Sequence, residues 1–531
     1  MIRSSLISTL LFSLCTANYC NNDKKTFTAE FRVQQFDRSP DGFKRSLLSI
    51  NNEFPAPIIN VCKGDTINIT VVNMLHVPIS IHWHGIFQIG TLTSDGVPGV
   101  TQCAIPSNQK YHYKFQTGIQ TGTYWYHSHA SVQYIDGLKS ALIIHDPKDP
   151  WKSHYDEEEI FMLSDWYHKQ ALTLQKYYLS KSSDGNEPVP DTGLINGIGQ
   201  YNCAVKKCQY YNAPIKIGTT KRFRIINTSA FAVFLFTIEG HTMKVIEADG
   251  TNLNGKTTVN GIRINAGQRY SVLVKGKTKT NQNYWIRAII DPDTMDHASF
   301  KPNVSAILSY NGKYGLPSEV QFNKNDGIIL DSFHEGNNFL DQNSLQPMEL
   351  NVPKKSNKTV KVEIEFYDNK NGVNLAHFNS ISFVHVMGTT LLSIVQTNQP
   401  YPKSNNVISI NYGDIIDIII NNHDDGEHPI HLHGHKFWII ANGNTHDGDF
   451  NEKKVVFNTR NPLKRDTVSL NPHSYAVLRF VADNPGIWIF HCHIDWHLQA
   501  GLALIFVESA QRVQKLYGTT KSLNKCTSNN Y

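Results

Sequence analysis

The chain has 531 residues, enough for about three domains at roughly 150 residues each. Its formal net charge of +5 and charged fraction of 18% come without any long basic or acidic block, which excludes a nucleic-acid surface or a charged disordered tail. The unusual count is 24 histidines, gathered in tight groups near residues 82, 127, 428 and 491, and such clustering indicates metal.

At the start, Arg3, an apolar run from Leu6 to Leu14 and small residues up to Ala17 read as a signal peptide over residues 1–17. That run is too short to span a bilayer, and no later stretch reaches about 18 apolar residues, so a secreted or cell-wall protein without a transmembrane anchor is expected. Acceptor sequons at Asn68, Asn227, Asn303 and Asn357 fit export. Cys15 goes with the leader, leaving Cys20, Cys62, Cys103, Cys203, Cys208, Cys492 and Cys526. This odd set leaves a thiol unpaired, and Cys492, flanked by two histidines, is expected to be a thiolate ligand.

Alternating, β-branched strands bounded by Gly, Pro and Asn dominate the rest of the chain, and the fold reads as all-β. Strands are predicted from Thr66 to Val72, Lys221 to Ile226 and Ile415 to Ile420. Each comes after a glycine (Gly64, Gly218, Gly413), ends at an asparagine (Asn73, Asn227, Asn421) and leads to His82, His241 or His431. The unit recurs three times, giving expected domains over 25–147, 148–320 and 345–531. A stricter match joins the first and third copies: Gly122 to His129 aligns without a gap with Gly486 to His493, and Gly137-Leu138 with Gly501-Leu502. The middle copy keeps the strands, as in Tyr284 to Ile290, but lacks paired histidines and reads as a spacer or a substrate-facing domain.

Four His-x-His pairs occur: His82 and His84, His127 and His129, His431 and His433, His491 and His493. On a strand, residues i and i+2 share a face, so each pair presents two imidazoles together. Cys492, between His491 and His493, turns to the opposite face and belongs to a second site. His428 shares its parity, and His497 comes next in a turn. Cys492, His428 and His497 form the His₂Cys set of a blue copper, whereas zinc would have no redox use for eight further imidazoles. In the first copy the matching positions are Ile79, Ser128 and Gln133, so one blue site is expected, in the third copy only. The axial position holds Leu502, which cannot coordinate and should raise the reduction potential.

The motifs His82-Trp-His84-Gly85, His127-Ser-His129, His428-Pro-Ile-His431-Leu-His433-Gly434-His435 and His491-Cys-His493-Ile-Asp-Trp-His497 resemble the multicopper oxidase family of laccases, ascorbate oxidases and ferroxidases, over essentially the whole mature chain. The resemblance implies three cupredoxin-like Greek-key β-sandwich domains and four copper ions reducing O2 to water. It assigns His82 and His431 to a type 2 copper, and His84, His127, His129, His433, His491 and His493 to a type 3 pair. Asp95 and Asp495 look like the family's proton-supplying acids. His435 matches no ligand position and reads as structural. Cys103 looks like the cysteine that laccases bridge to the C-terminal tail, here Cys526. For Cys20, Cys62, Cys203 and Cys208, one or two bridges from the first domain to the second are expected, with a Cys203 to Cys208 loop as the alternative.

The reductant is read from acids. Asn186-Glu187-Pro188-Val189-Pro190 resembles the segment carrying an iron-binding glutamate in fungal ferroxidases, and Asp424 matches the acid that joins iron to the blue-copper histidine. Leu375 stands where those ferroxidases place a tyrosine, and their third acid falls near Asp293 and Asp296. They also carry a membrane anchor that partners an iron permease, and no such anchor is expected here. Fe²⁺ is the favoured electron donor, and laccase-type oxidation of phenols or aromatic amines is the alternative.

Overall fold

The computed structural model describes residues 20, 23–201, 208–295, 300–310, 315–317, 338–386, 388–518 and 526. The expected signal peptide, Cys203 and Asp296 lie outside these residues. Six sheets succeed one another in three pairs along the chain, with few short helices.

The first pair shows why the sequence folds this way. Along Thr66–Asn73 burial alternates strictly, placing Ile67, Ile69 and Val71 inward. They share a core with Trp83, Tyr124, Tyr126, Leu142 and Ile144 of the facing sheet, and each such side chain contributes about 1.5–3 kcal/mol by leaving water. The same arrangement returns twice. Thr66–Asn73 runs parallel to Thr26–Arg38, Thr220–Asn227 to Glu157–Trp166, and Ile415–Asn422 to Lys358–Asp368. The middle and last pairs share one continuous core.

The asparagine ending each strand has a common task. Asn73 donates its amide to the carbonyls of Val77 and Ile105, and Asn227 to those of Ala232 and Ile264. In the third copy Asn422, one residue later than the sequence repeat indicated, donates to Gly426 and Asn471. The same bonds remove Asn227 as a glycosylation acceptor, because it is fully buried.

Two disulfides fix the ends. Cys103 pairs with Cys526 across 423 residues. Cys20 pairs with Cys62, within the first unit; this corrects the expectation of one or two bridges from these cysteines to the second domain. Cys208 is also disulfide-bonded. Among the described residues Cys492 is the free cysteine, and no helix is long and apolar enough to cross a membrane.

Candidate metal centres

Two short strands bring the first and third units' histidines together. His82–His84 pairs with Gly122–His127 so that His82 faces His127, and His428–Leu432 pairs with Gly486–Cys492 so that His431 faces His491. The repeat seen in sequence is thus a repeat of register. The units then meet face to face: the rings of His82 and His433 stack at 3.9 Å, as do those of His84 and His431. His433 Nε2 lies 3.3 Å from His491 Nε2, and His493 Nε2 lies 3.2 Å from His84 Nδ1. All eight imidazoles are buried.

Five of their Nδ1 atoms are committed to the protein. Nδ1–H of His82, His127, His431 and His491 donates to the carbonyls of Asp95, Ser128, Asp466 and Cys492 at 2.7–2.8 Å, and His433 Nδ1 lies 3.0 Å from Asp95 Oδ2. These bonds fix each ring's tautomer and leave Nε2 as an acceptor facing inward. Burial first, and neighbouring imidazoles second, hold His84, His127, His129, His431 and His433 well below the ordinary 6.5, and His491 and His493 at about 3. These seven rings are therefore neutral, as ligands must be.

Cys492 is on the other face of its strand. Its Sγ is 3.6 Å from His428 Nδ1 and 3.5 Å from His497 Nδ1, and those two nitrogens are 3.1 Å apart. Burial alone would push the thiol up, but His497 and His428 hold it down at about 7. Leu502 is fully buried beside them: its carbonyl accepts the Cys492 N–H at 3.1 Å, and its N–H donates to His497. In the first unit, Ser128 and Gln133 occupy the places of Cys492 and His497 and close on each other by a 2.8 Å hydrogen bond.

An acid caps each of these two imidazoles on its outer nitrogen. His497 Nε2 meets Glu187 Oε1 at 2.9 Å, and His428 Nε2 meets Asp424 Oδ2 at 3.1 Å. The imidazoles are nearly inaccessible, at 5% and 0%, whereas the carboxylates are 22% and 29% exposed. Burial opposes the charge on Asp424, but His428 outweighs it and holds the carboxyl well below the carboxylate range. Phe366 stands against both imidazoles.

Comparison with known proteins identifies the family. Three multicopper oxidase family models match residues 32–149, 157–313 and 370–512. The iron transport multicopper oxidase fio1 of Schizosaccharomyces pombe is 36% identical over 499 residues, 91% of this chain and 76% of that protein. The iron transport multicopper oxidase FET3 of Candida albicans is 35% identical over 532 residues, 96% and 80% of the two chains. The chain belongs to the multicopper oxidase family. The crystal structure of Fet3p, a multicopper oxidase that functions in iron import, superposes with a TM-score of 0.84 at 33% identity over 93% of each chain. The laccase from Botrytis aclada gives 0.80 at 30% identity, covering 96% of this chain and 94% of that one.

Copper, the cofactor this membership implies, is tested by the nitrogens left over. In this multicopper oxidase His82 Nε2, His127 Nε2, His129 Nε2, His431 Nε2 and His493 Nδ1 are buried without any hydrogen-bond partner. A buried polar atom so placed costs about 1–3 kcal/mol, and the four Nε2 atoms among them, from His82, His127, His129 and His431, make sense where metal takes the lone pairs. Groups of three donors within 4.8 Å of one another include His82, His84 and His127; His129, His433 and His491; and His428, Cys492 and His497. The donor sets fit copper.

Asp95 ends a 3-10 turn in the first unit and reaches His433 of the third. Asp495 opens the helix Asp495–Ala500, where burial pushes its carboxyl up to about 8, so it holds its proton at neutral pH. His435 Nδ1 bonds to the His433 carbonyl, and its Nε2 lies 3.0 Å from Glu508 Oε2. Leu375 pairs with Tyr367 on a strand edge. One residue escaped sequence reasoning: Asp466, fully buried, whose Oδ1 lies 3.2 Å from His84 Nε2 and whose carbonyl holds His431. Its only signal was an acid beside an arginine at the start of a β-branched stretch, Arg465-Asp466-Thr467-Val468.

Proposed function

We propose that this multicopper oxidase is a secreted ferroxidase, oxidising Fe²⁺ at Glu187 and Asp424 and reducing O2 to water at the histidine cavity. The observation carrying this reading is that each imidazole beside Cys492 is joined by its outer nitrogen to a partly exposed carboxylate. Hard carboxylate oxygens prefer Fe³⁺ to Fe²⁺, so such a pair both collects the ion and favours its oxidation. Residues 25–147, 148–320 and 345–531 act as three domains, the second bringing Glu187 to the third.

Four copper ions suit the donors: one with His428, Cys492 and His497, one with His82 and His431, and two with His84, His127, His129, His433, His491 and His493. Bound copper supplies a one-electron acceptor beside Cys492 and four-electron reduction of O2 in the cavity. The chain does the rest. Glu187 and Asp424 place the iron against His497 and His428, and the peptide joins Cys492 directly to His491 and His493. Four Fe²⁺ yield four electrons, and four protons complete two waters; on this reading Asp95 and Asp495 deliver them. Phe366, against both imidazoles, also offers an aromatic wall to a phenol, which keeps laccase-type oxidation as the second reading.

Anaerobic mixing of the oxidised, copper-loaded protein with Fe²⁺ tests the proposal. Saturable bleaching of the blue absorbance, faster than turnover, is expected. Absence of bleaching by Fe²⁺, with bleaching by a phenol, would leave the protein a laccase.

A further inference from the structure

The middle unit contributes no imidazole to the cavity, yet it forms one of its walls. Gly267, just before the strand Arg269–Lys275, has φ +80°, and a Cβ there would lie 2.9 Å from His493 Cδ2 and 3.2 Å from His84 Cε1. Only glycine meets both the conformation and the approach. Two residues on, Arg269 is fully buried and ties all three units together. Its Nε donates to the Thr123 carbonyl of the first unit at 3.1 Å and its Nη1 to the Gly267 carbonyl at 3.0 Å. Nη1 and Nη2 grip Oδ1 and Oδ2 of Asp466 in the third unit at 2.6 and 2.7 Å.

That two-pronged grip fixes the plane of the Asp466 carboxylate as a point charge could not. The consequence falls on His84. Asp466 and Thr467 each lie 3.2 Å from its Nε2, so His84 turns Nδ1 toward His493, whereas His82, His127, His129 and His431 leave Nε2 free. His431 is anchored by the same residue through its carbonyl.

We propose that Gly267 and Arg269 of the middle unit form a positioning wall for the histidine cavity: Arg269, acting through Asp466, sets which nitrogen His84 presents and anchors His431, and Gly267 sets the space for the His84 and His493 rings. The proposal rests on the copper reading of the cavity. Metal retention on that side should then depend on a unit that supplies no ligand.

The test uses the full-length copper-loaded protein, with Arg269→Lys and Gly267→Ala beside wild type. Copper per chain is measured after dialysis against a chelator, with the blue absorbance and the paramagnetic signal of non-blue copper. Expected is blue absorbance retained in both variants, with copper in the cavity held about tenfold to a hundredfold less tightly. Wild-type copper content and spectra in both would overturn the proposal. So would loss of the blue band together with the circular dichroism of the fold, since Arg269 and Gly267 would then serve folding rather than the site. If wild type itself retains only the blue copper, the cavity reading fails, and that outcome is separate from either variant's.

Discussion

His497 Nε2 and Glu187 Oε1 meet at 2.9 Å although 310 residues separate them. The contact exists because the helix Ala171–Tyr178 docks on the helix Asp495–Ala500, where Gln175 donates to Gln499 at 2.8 Å. Ser183 bonds back to the Tyr178 carbonyl, and Asn186 to the Ser183 carbonyl. The loop between is thereby shaped to deliver Glu187. The carboxylates on these imidazoles thus come from two units, while Cys492, His428 and His497 lie in one.

Cys492→Ser should abolish the blue absorbance and turnover while leaving the other coppers bound, because Sγ faces away from the eight imidazoles. Metal analysis and absorbance spectra check this. Retained blue colour would show that the thiolate is not the ligand.

Leu502→Met places a thioether where a non-coordinating side chain now lies beside Cys492 and His497. The reduction potential of the blue site should fall, since an axial donor stabilises the oxidised metal. A redox titration monitored at the blue band measures it. An unchanged potential would place Leu502 away from the axial position.

Acid should destabilise the first and second units together. Burial opposes the charge on Glu247, but Arg222 and Arg224 outweigh it and hold the carboxyl at about 2; Glu158 is held at about 2 by Arg224, His145 and Arg222. Both folded values lie below the ordinary 4.5, so the stabilisation is fully present above about pH 4.5 and is lost as pH falls toward 2. His145, held down to about 4 by burial, adds loss in the same direction from 6.5 downward. Thermal midpoints measured from pH 7 to pH 3 should fall steadily. A flat profile would contradict the paired state of these groups.

Removing the Cys103–Cys526 bridge by Cys526→Ser should destabilise the protein by about 2–5 kcal/mol, since the bridge closes a very long loop in the unfolded chain. Denaturant unfolding of the metal-loaded protein reads this directly. An unchanged midpoint would mean the tail contributes nothing to the fold.

The strands and most of the site were legible because strand alternation and His-x-His spacing are local. A period of two separates Cys492 from His491 and His493 whatever the tertiary structure, and the alignment of Gly122–His129 with Gly486–His493 became a shared strand register. The features that were not legible depend on distant contacts. Cys62 had no local signal naming Cys20 as its partner. Asp466, Arg269 and Gly267 carry no motif, and Arg269 meets Asp466 across 197 residues. A spacer reading of the middle unit comes from its missing histidines; its backbone against His493 could be seen only in three dimensions.

The most direct test of the ferroxidase account is steady-state oxygen consumption by the copper-loaded protein, with Fe²⁺ and separately with a phenolic donor, comparing wild type with Glu187→Ala, Asp424→Ala. The account expects Fe²⁺ turnover to fall roughly tenfold or more, about 1.4 kcal/mol of transition-state stabilisation, while phenol turnover holds or rises. Equal activity of the two proteins toward Fe²⁺ would contradict it.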